Sequence, residues 1–235
     1  MFRNPPMTPR FRAAWAQRQE NATPAPDLPP ESSVEYTIGL DLGKLQDYSA
    51  LCVIERTAPP AGKATYAVRH LRRWPLGTNY TIVAADVAEL AYRPELNLPR
   101  IAADATGVGT AVMEMIEQSL RAKAGDGRQV DLWPVLIGGG HSVRCDSKLT
   151  WHVAKAQLVS VLRALLSGRR LKIANELAEA AILFAELKAF SVKLTQAGNE
   201  RFEAWRERDH DDLVLAVAMA LWLAENGPRG RFEIY

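Results

Sequence analysis

The sequence predicts an α/β domain on a mixed sheet, with three antiparallel strands first and strands separated by helices after them. Three observations lead there. Between Tyr36 and Trp74, three apolar runs are joined by short connections, the pattern of an antiparallel meander. From Tyr80 onward, stretches of helical spacing alternate with short apolar runs, as strand–helix crossovers do. The run Leu213–Ala224 is apolar on every side, which marks a buried helix.

The elements follow in order. Thr37–Leu42 reads as the first strand and Tyr48–Arg56 as the second, after a turn containing Gly43. "TAPPAGK" (Thr57–Lys63) is a turn by its Pro and Gly content, and Ala64–Trp74 is the third strand. Tyr80–Tyr92 carries Ile82, Val83, Val87, Leu90 and Ala91 at helical spacing. Arg100–Asp104 is a short buried strand. Gly109–Lys123 is a helix with Val112, Met115, Ile116 and Leu120 on one face, and Val130–Ile137 is a fifth strand. A glycine-rich loop from Gly138 leads to a helix over Lys148–Leu166, and another helix covers Glu176–Ala189. "FSVKLT" and "RFEAWR" suggest a late hairpin, and the closing helix starts near Asp211 and stops before "ENGPRG". No internal repeat is visible.

Residues 1–33 differ from the rest: seven of the 14 prolines lie there, with Arg3, Arg10, Arg12 and Arg18. That composition predicts a flexible basic arm, with a short helix at Phe11–Gln19 as the alternative. The expected organisation is the arm (1–33), one domain (34–227) and a tail (228–235). With 48% hydrophobic residues the domain has material for a core. The net charge of +2 permits a nucleic-acid partner without arguing for one. Cys52 and Cys145 form neither a disulfide framework nor a zinc pattern, so a reducing, cytosolic setting is expected. The 12 apolar residues of Leu213–Ala224 are too few to span a bilayer, and no membrane partner is expected.

The chemistry lies in carboxylates. Asp41 sits in the middle of an apolar stretch, where an unpaired charge is costly. Strand alternation puts Thr37, Gly39 and Asp41 on one face and Ile38, Leu40 and Leu42 on the other. Gly39 and Gly43 are expected to leave room beside the carboxylate. Asp104 ends the fourth strand, at the rim where crossover sheets bind ligands. Asp211 and Asp212 open the buried helix. Each has a plainer reading: a turn bond for Asp41 or Asp104, and a helix cap for Asp211. Together they suit a convergent site, and convergent carboxylates repel unless a cation lies between them. Hard oxygen donors favour Mg²⁺ or Mn²⁺, and a pair of such ions activates water against a phosphodiester.

"GLDLGKLQDYSA", "ADATGVG" and "HDDLVLAVAMALW", in that order, resemble the nuclease domain of tailed-phage terminase large subunits. "AKAQLVSVLRALLSGRRLKIA" and "AWRERDHDD" resemble the family's approach to its third acidic motif, and the likeness runs from Glu35 to Glu225. The resemblance implies a ribonuclease-H-like fold: a mixed sheet of three antiparallel strands, then parallel strands, flanked by helices. It implies metal-dependent cleavage of double-stranded DNA during packaging, in the cytoplasm of a bacterial host. Asp41, Asp104 and one of Asp211 or Asp212 would bind two Mg²⁺ or Mn²⁺ ions, with Asp212 preferred and Asp211 then capping the helix. Asp47, Thr106, Lys155 and His210 are secondary positions, near substrate or behind the metal ligands. Plain readings stand beside them, a turn carboxylate for Asp47 and an exposed helix lysine for Lys155.

Two departures from the family pattern stand out. There is no GxxxxGK[ST] motor signature, so a separate terminase ATPase, a small terminase subunit or a portal is the expected partner. Leu213, Val214 and Leu215 stand where many relatives have a further acidic residue. In "RHLRRW", Arg69, Leu71 and Arg73 are expected on one strand face, and His70, Arg72 and Trp74 on the other, with DNA phosphates or solvent as alternative destinations. Competing functions are an actin-like or sugar-kinase ATP-binding domain, suggested by "GLDLG" and "DATGVG", an inactive DNA- or capsid-binding scaffold, and a Holliday-junction resolvase.

Overall fold

The structure is a computed structural model that describes residues 32–43, 47–124, 127, 129–140, 142–147, 149–196 and 211–227. The possible helix at Phe11–Gln19, His141, "RFEAWR", His210 and the tail 228–235 lie outside them. β1 (Ser33–Asp41) pairs antiparallel with β2 (Ala50–Ala58), and β2 with β3 (Thr65–Arg73). The chain then crosses through α1 (Tyr80–Ala91) to β4 (Arg100–Asp104), parallel to β1. α2 (Thr110–Lys123) leads to β5 (Leu132–Gly138), parallel to β4. Next come β6 (Val143–Cys145), β7 (Trp151–Ala154), α3 (Lys155–Ser167), β8 (Leu171–Ile173), α4 (Ala180–Gln196) and α5 (Asp212–Asn226). The eight strands lie in the order β6-β7-β5-β4-β1-β2-β3-β8. This is the mixed sheet that the sequence predicts.

Period-two alternation divides the strand residues between two layers. Ile38, Leu40, Leu51, Val53 and Ile101 pack on the buried stripes of α1 and α2. Cys52, Ile54, Tyr66, Ala102 and Val135 pack on α3 and α5. α5 is buried on nearly every side because it lies across β1, β2 and β4 with α3 and α4 against it. Each fully buried Leu or Val there contributes about 1.5–3 kcal/mol. Among the described residues no helix is long and apolar enough to cross a membrane. Cys52 and Cys145 are both free thiols.

Three expectations are corrected. The helix drawn from Lys148 begins at Lys155, because Trp151 and Val153 alternate into the core as strand β7. There Trp151 meets Trp222 edge-on at 5.3 Å and Trp133 at 6.5 Å. Phe190–Thr195 is the end of helix α4 rather than a hairpin strand. Past the end of α3 at Ser167, Leu171 enters β8 beside β3. Arg170 ties that corner together, donating to the Ala64 carbonyl at 2.7 Å and to Glu225 at 3.0 Å. Finally, a bulge in the β2–β3 ladder skips Arg69, so Arg69 leaves the face of Leu71 and Arg73 and pairs with Glu55 instead.

Candidate metal centre

Cross-strand register assembles the first part of the site. Asp41 pairs with Ala50, and Ala50 pairs with Arg73. On the other side of β1, the parallel register ends with Leu40 beside Ala103. One residue further, Asp104 stands next to Asp41, about one strand spacing away, roughly 4.8 Å. Arg73, Ala50, Asp41 and Asp104 therefore form one row across four strands, on the face covered by α5. Asp41 is 8% exposed and Asp104 5% exposed.

Helix α5 brings the third acid. Thr37 Oγ1 donates to the Ala220 carbonyl at 3.0 Å, and Gly39 lies directly under the backbone of Ala216. A Cβ on Gly39 would stand 1.9 Å from the Ala216 oxygen. The space beside Gly39 is thus filled by the helix backbone, not left open for a ligand as expected. α5 runs antiparallel to β1. Four helical residues advance about 6 Å and two strand residues about 6.7 Å. Asp212, one turn before Ala216 on the same helix face, consequently falls over the Asp41 end of β1. It is 5% exposed.

Asp211 occupies the N-cap position, yet its side chain makes no capping hydrogen bond, against expectation. The amide it would reach, Val214 N, donates to Glu186 Oε2 at 3.0 Å instead. Glu186, on α4, is the residue that sequence reasoning missed. Burial pushes its carboxyl up to about 7; the Val214 amide and Arg73 oppose the rise, and Asp212 and Asp211 add to it. Arg73 reaches both acids, with one guanidinium nitrogen 4.0 Å from Glu186 Oε1 and the other 3.7 Å from Asp212 Oδ2. The same guanidinium lies 3.5 Å from the centre of the Tyr48 ring.

Of the secondary positions, Thr106 is the best anchored. Its amide donates to Asp104 Oδ1 at 2.7 Å, and its hydroxyl accepts the Ile137 amide at 2.7 Å. The plainer reading of Asp104 is therefore true of one of its oxygens. Thr106→Val keeps the shape but strands the Ile137 amide, and is expected to cost about 1 kcal/mol. A chemical-denaturation midpoint measures this, and an unchanged midpoint would show that solvent takes the amide instead. Lys155 opens α3 at the end of β7, at the same end of the sheet and two strands from Asp104. Asp47 is exposed in the β1–β2 connection. Arg72 of the basic run pairs with Asp86, so Arg69, Arg72 and Arg73 all face carboxylates.

Among the described residues no three His, Cys, Asp or Glu side chains are grouped so as to hold a metal ion. The backbone aligns the acids, but Asp104 is turned to Thr106 and Asp212 to Arg73. The donor set itself fits a hard divalent cation. Its members are buried carboxylates that outnumber the guanidinium among them, and Glu186 Oε1 is buried without a hydrogen bond. Nothing local in the sequence signals Glu186. Arg73 was legible as a strand residue, but not as the partner of α5.

Residues 38–223 match the family described as the Terminase RNaseH-like domain. The terminase large subunits of Thermus phage G20c and Thermus virus P23-45 are each 28% identical over 200 residues, covering 85% of this chain. That match is 34% of each relative, so this chain spans about a third of their length. Among solved structures, the human cytomegalovirus terminase nuclease domain aligns with a TM-score of 0.48 at 15% identity, over 84% of this chain and 86% of that one. The family match runs from the last four residues of β1 through most of α5, with Asp41, Arg73, Asp104, Glu186 and Asp212 inside it. On that match the chain belongs to the terminase ribonuclease-H-like domain family.

Proposed function

We propose that this chain is a metal-dependent endodeoxyribonuclease of terminase type, cutting double-stranded DNA during genome packaging. The observation that supports the reading is the backbone register that sets Asp41 beside Asp104 at one end of the sheet, with the first turn of α5 above them. Asp41 and Asp104 hold adjacent negative charge on rigid, paired strands. Asp212 adds a carboxylate from above, and it rather than Asp211 is the assigned ligand. Thr106 fixes the direction of Asp104 through its amide. When Mg²⁺ or Mn²⁺ is bound, two ions at full loading, it supplies water activation and neutralises charge on the phosphate and its leaving oxygen. Lys155 and Asp47 are assigned to the substrate side of this rim, and His210, next to Asp211 in sequence, to support of the ligands.

The Thermus relatives are named large subunits, and this chain corresponds to about a third of each. Translocation is assigned to an ATPase, covalently joined or separate, working with a small terminase subunit and a portal in the cytoplasm of a bacterial host. Purified protein is expected to nick or cut plasmid DNA with Mn²⁺ or Mg²⁺, and EDTA should reduce cutting to background. Agarose gels read the outcome. Cutting that survives EDTA would overturn the metal assignment.

A further inference from the structure

The first turn of a helix has amides without intrahelical partners, and an N-cap side chain usually takes one at the second or third position. In α5 the N-cap residue Asp211 makes no such bond. The third amide, Val214 N, is satisfied from another helix, by Glu186 Oε2 at 3.0 Å. A carboxylate is favoured at this helix end, yet it places a second buried acid beside Asp212. Arg73 makes the arrangement tolerable. Its planar fork presents one nitrogen to Glu186 and the other to Asp212, a division that the single ammonium of lysine reproduces poorly. Arg73 is itself held, as the last residue of β3 in register with Ala50 and with the Tyr48 ring against its guanidinium.

We propose that Glu186 and Arg73 are positioning residues that brace Asp212 for metal binding. The inference rests on the reading that Asp212 is a metal ligand. Glu186 sets the first turn of α5 through the Val214 amide, and thereby the height of Asp212 above Asp41. Arg73 balances the two carboxylates while no divalent ion is present. Its contacts, 3.7 Å and 4.0 Å, are electrostatic rather than hydrogen bonds. A doubly charged ion among the aspartates therefore displaces little when it arrives.

The test is thermal melting of the purified chain against Mn²⁺ concentration, without DNA, so that catalysis plays no part. Glu186→Ala removes the acceptor for Val214, and is expected to need roughly tenfold more Mn²⁺ for half of the melting-temperature rise, the scale of losing a ligand's support. Glu186→Gln keeps an acceptor and should stay within about threefold of the unmodified chain. Arg73→Met should melt lower in EDTA and recover most of the deficit in saturating Mn²⁺, because the ion then supplies the missing positive charge. A merely structural arginine would leave the same deficit in both conditions. The brace is overturned if Glu186→Ala keeps the unmodified half-saturation, or if the Arg73→Met deficit ignores Mn²⁺. Where Glu186→Ala fails to fold, the Arg73→Met comparison decides. If the unmodified chain shows no rise with Mn²⁺, the metal-centre reading fails; if it rises while both variants behave like it, only the brace fails.

Discussion

Asp41→Asn and Asp104→Asn should each lower DNA cutting by about 10²–10³-fold, the scale of losing one preorganised contact to developing charge. Neither should weaken the fold. Asn is nearly isosteric with Asp, and at residue 104 its side-chain oxygen still accepts the Thr106 amide, which donates at 2.7 Å in the parent. The two acids end adjacent strands with Asp212 above them, so removing one charge relieves repulsion in the metal-free protein. In EDTA each variant is therefore expected to melt no lower than the parent. Loss of activity at undiminished stability is the combination that separates a functional acid from a structural one. Unchanged cutting by either variant would sink the proposed centre. A large drop in melting temperature would instead make that residue part of the scaffold.

Gly39→Ala should be among the most damaging single added methyls in the described residues. The added Cβ would stand 1.9 Å from the Ala216 oxygen and 2.8 Å from the Ala220 amide nitrogen, both backbone atoms that no rotamer change moves. α5 must lift from β1, which strains the Thr37 bond to Ala220 and the packing of the all-round buried helix. Overpacking of this kind costs about 1–3 kcal/mol or more, against a whole-domain stability of about 5–15 kcal/mol. For a domain of this size that is a melting-point drop of about 2–12 °C. Because Asp212 travels with the helix, cutting should fall further than unfolding explains at the assay temperature. Calorimetry with a cleavage assay checks both. A variant that melts within a degree of the parent would show that the β1–α5 contact is looser than the structure has it.

Much of this site is written locally. An acid at the end of an apolar strand, or at the start of a helix apolar on every face, is conspicuous because water is the ordinary place for charge. Strand alternation correctly assigned Thr37, Gly39 and Asp41 to one face. Where reading failed, the deciding contact was remote in sequence. Gly39 reads as open space until α5, more than 170 residues later, is laid on it. Glu186 is an unremarkable helix residue until Val214 comes within reach. β6, β7 and β8 are three or four residues each, too short for period two to rise above the helical patterns beside them. Phe190–Thr195 shows the converse, an alternating run that is helix in the fold. The Arg69 error came from a bulge, which shifts facing by one residue and leaves no mark in composition.

The proposed ligands come from distant stretches of chain, and the last of them rides on the final helix described. A ribosome making this protein releases Asp41 and Asp104 more than 100 residues before Asp212. On the proposed assignment, the centre stays incomplete until α5 has been made and has docked on β1.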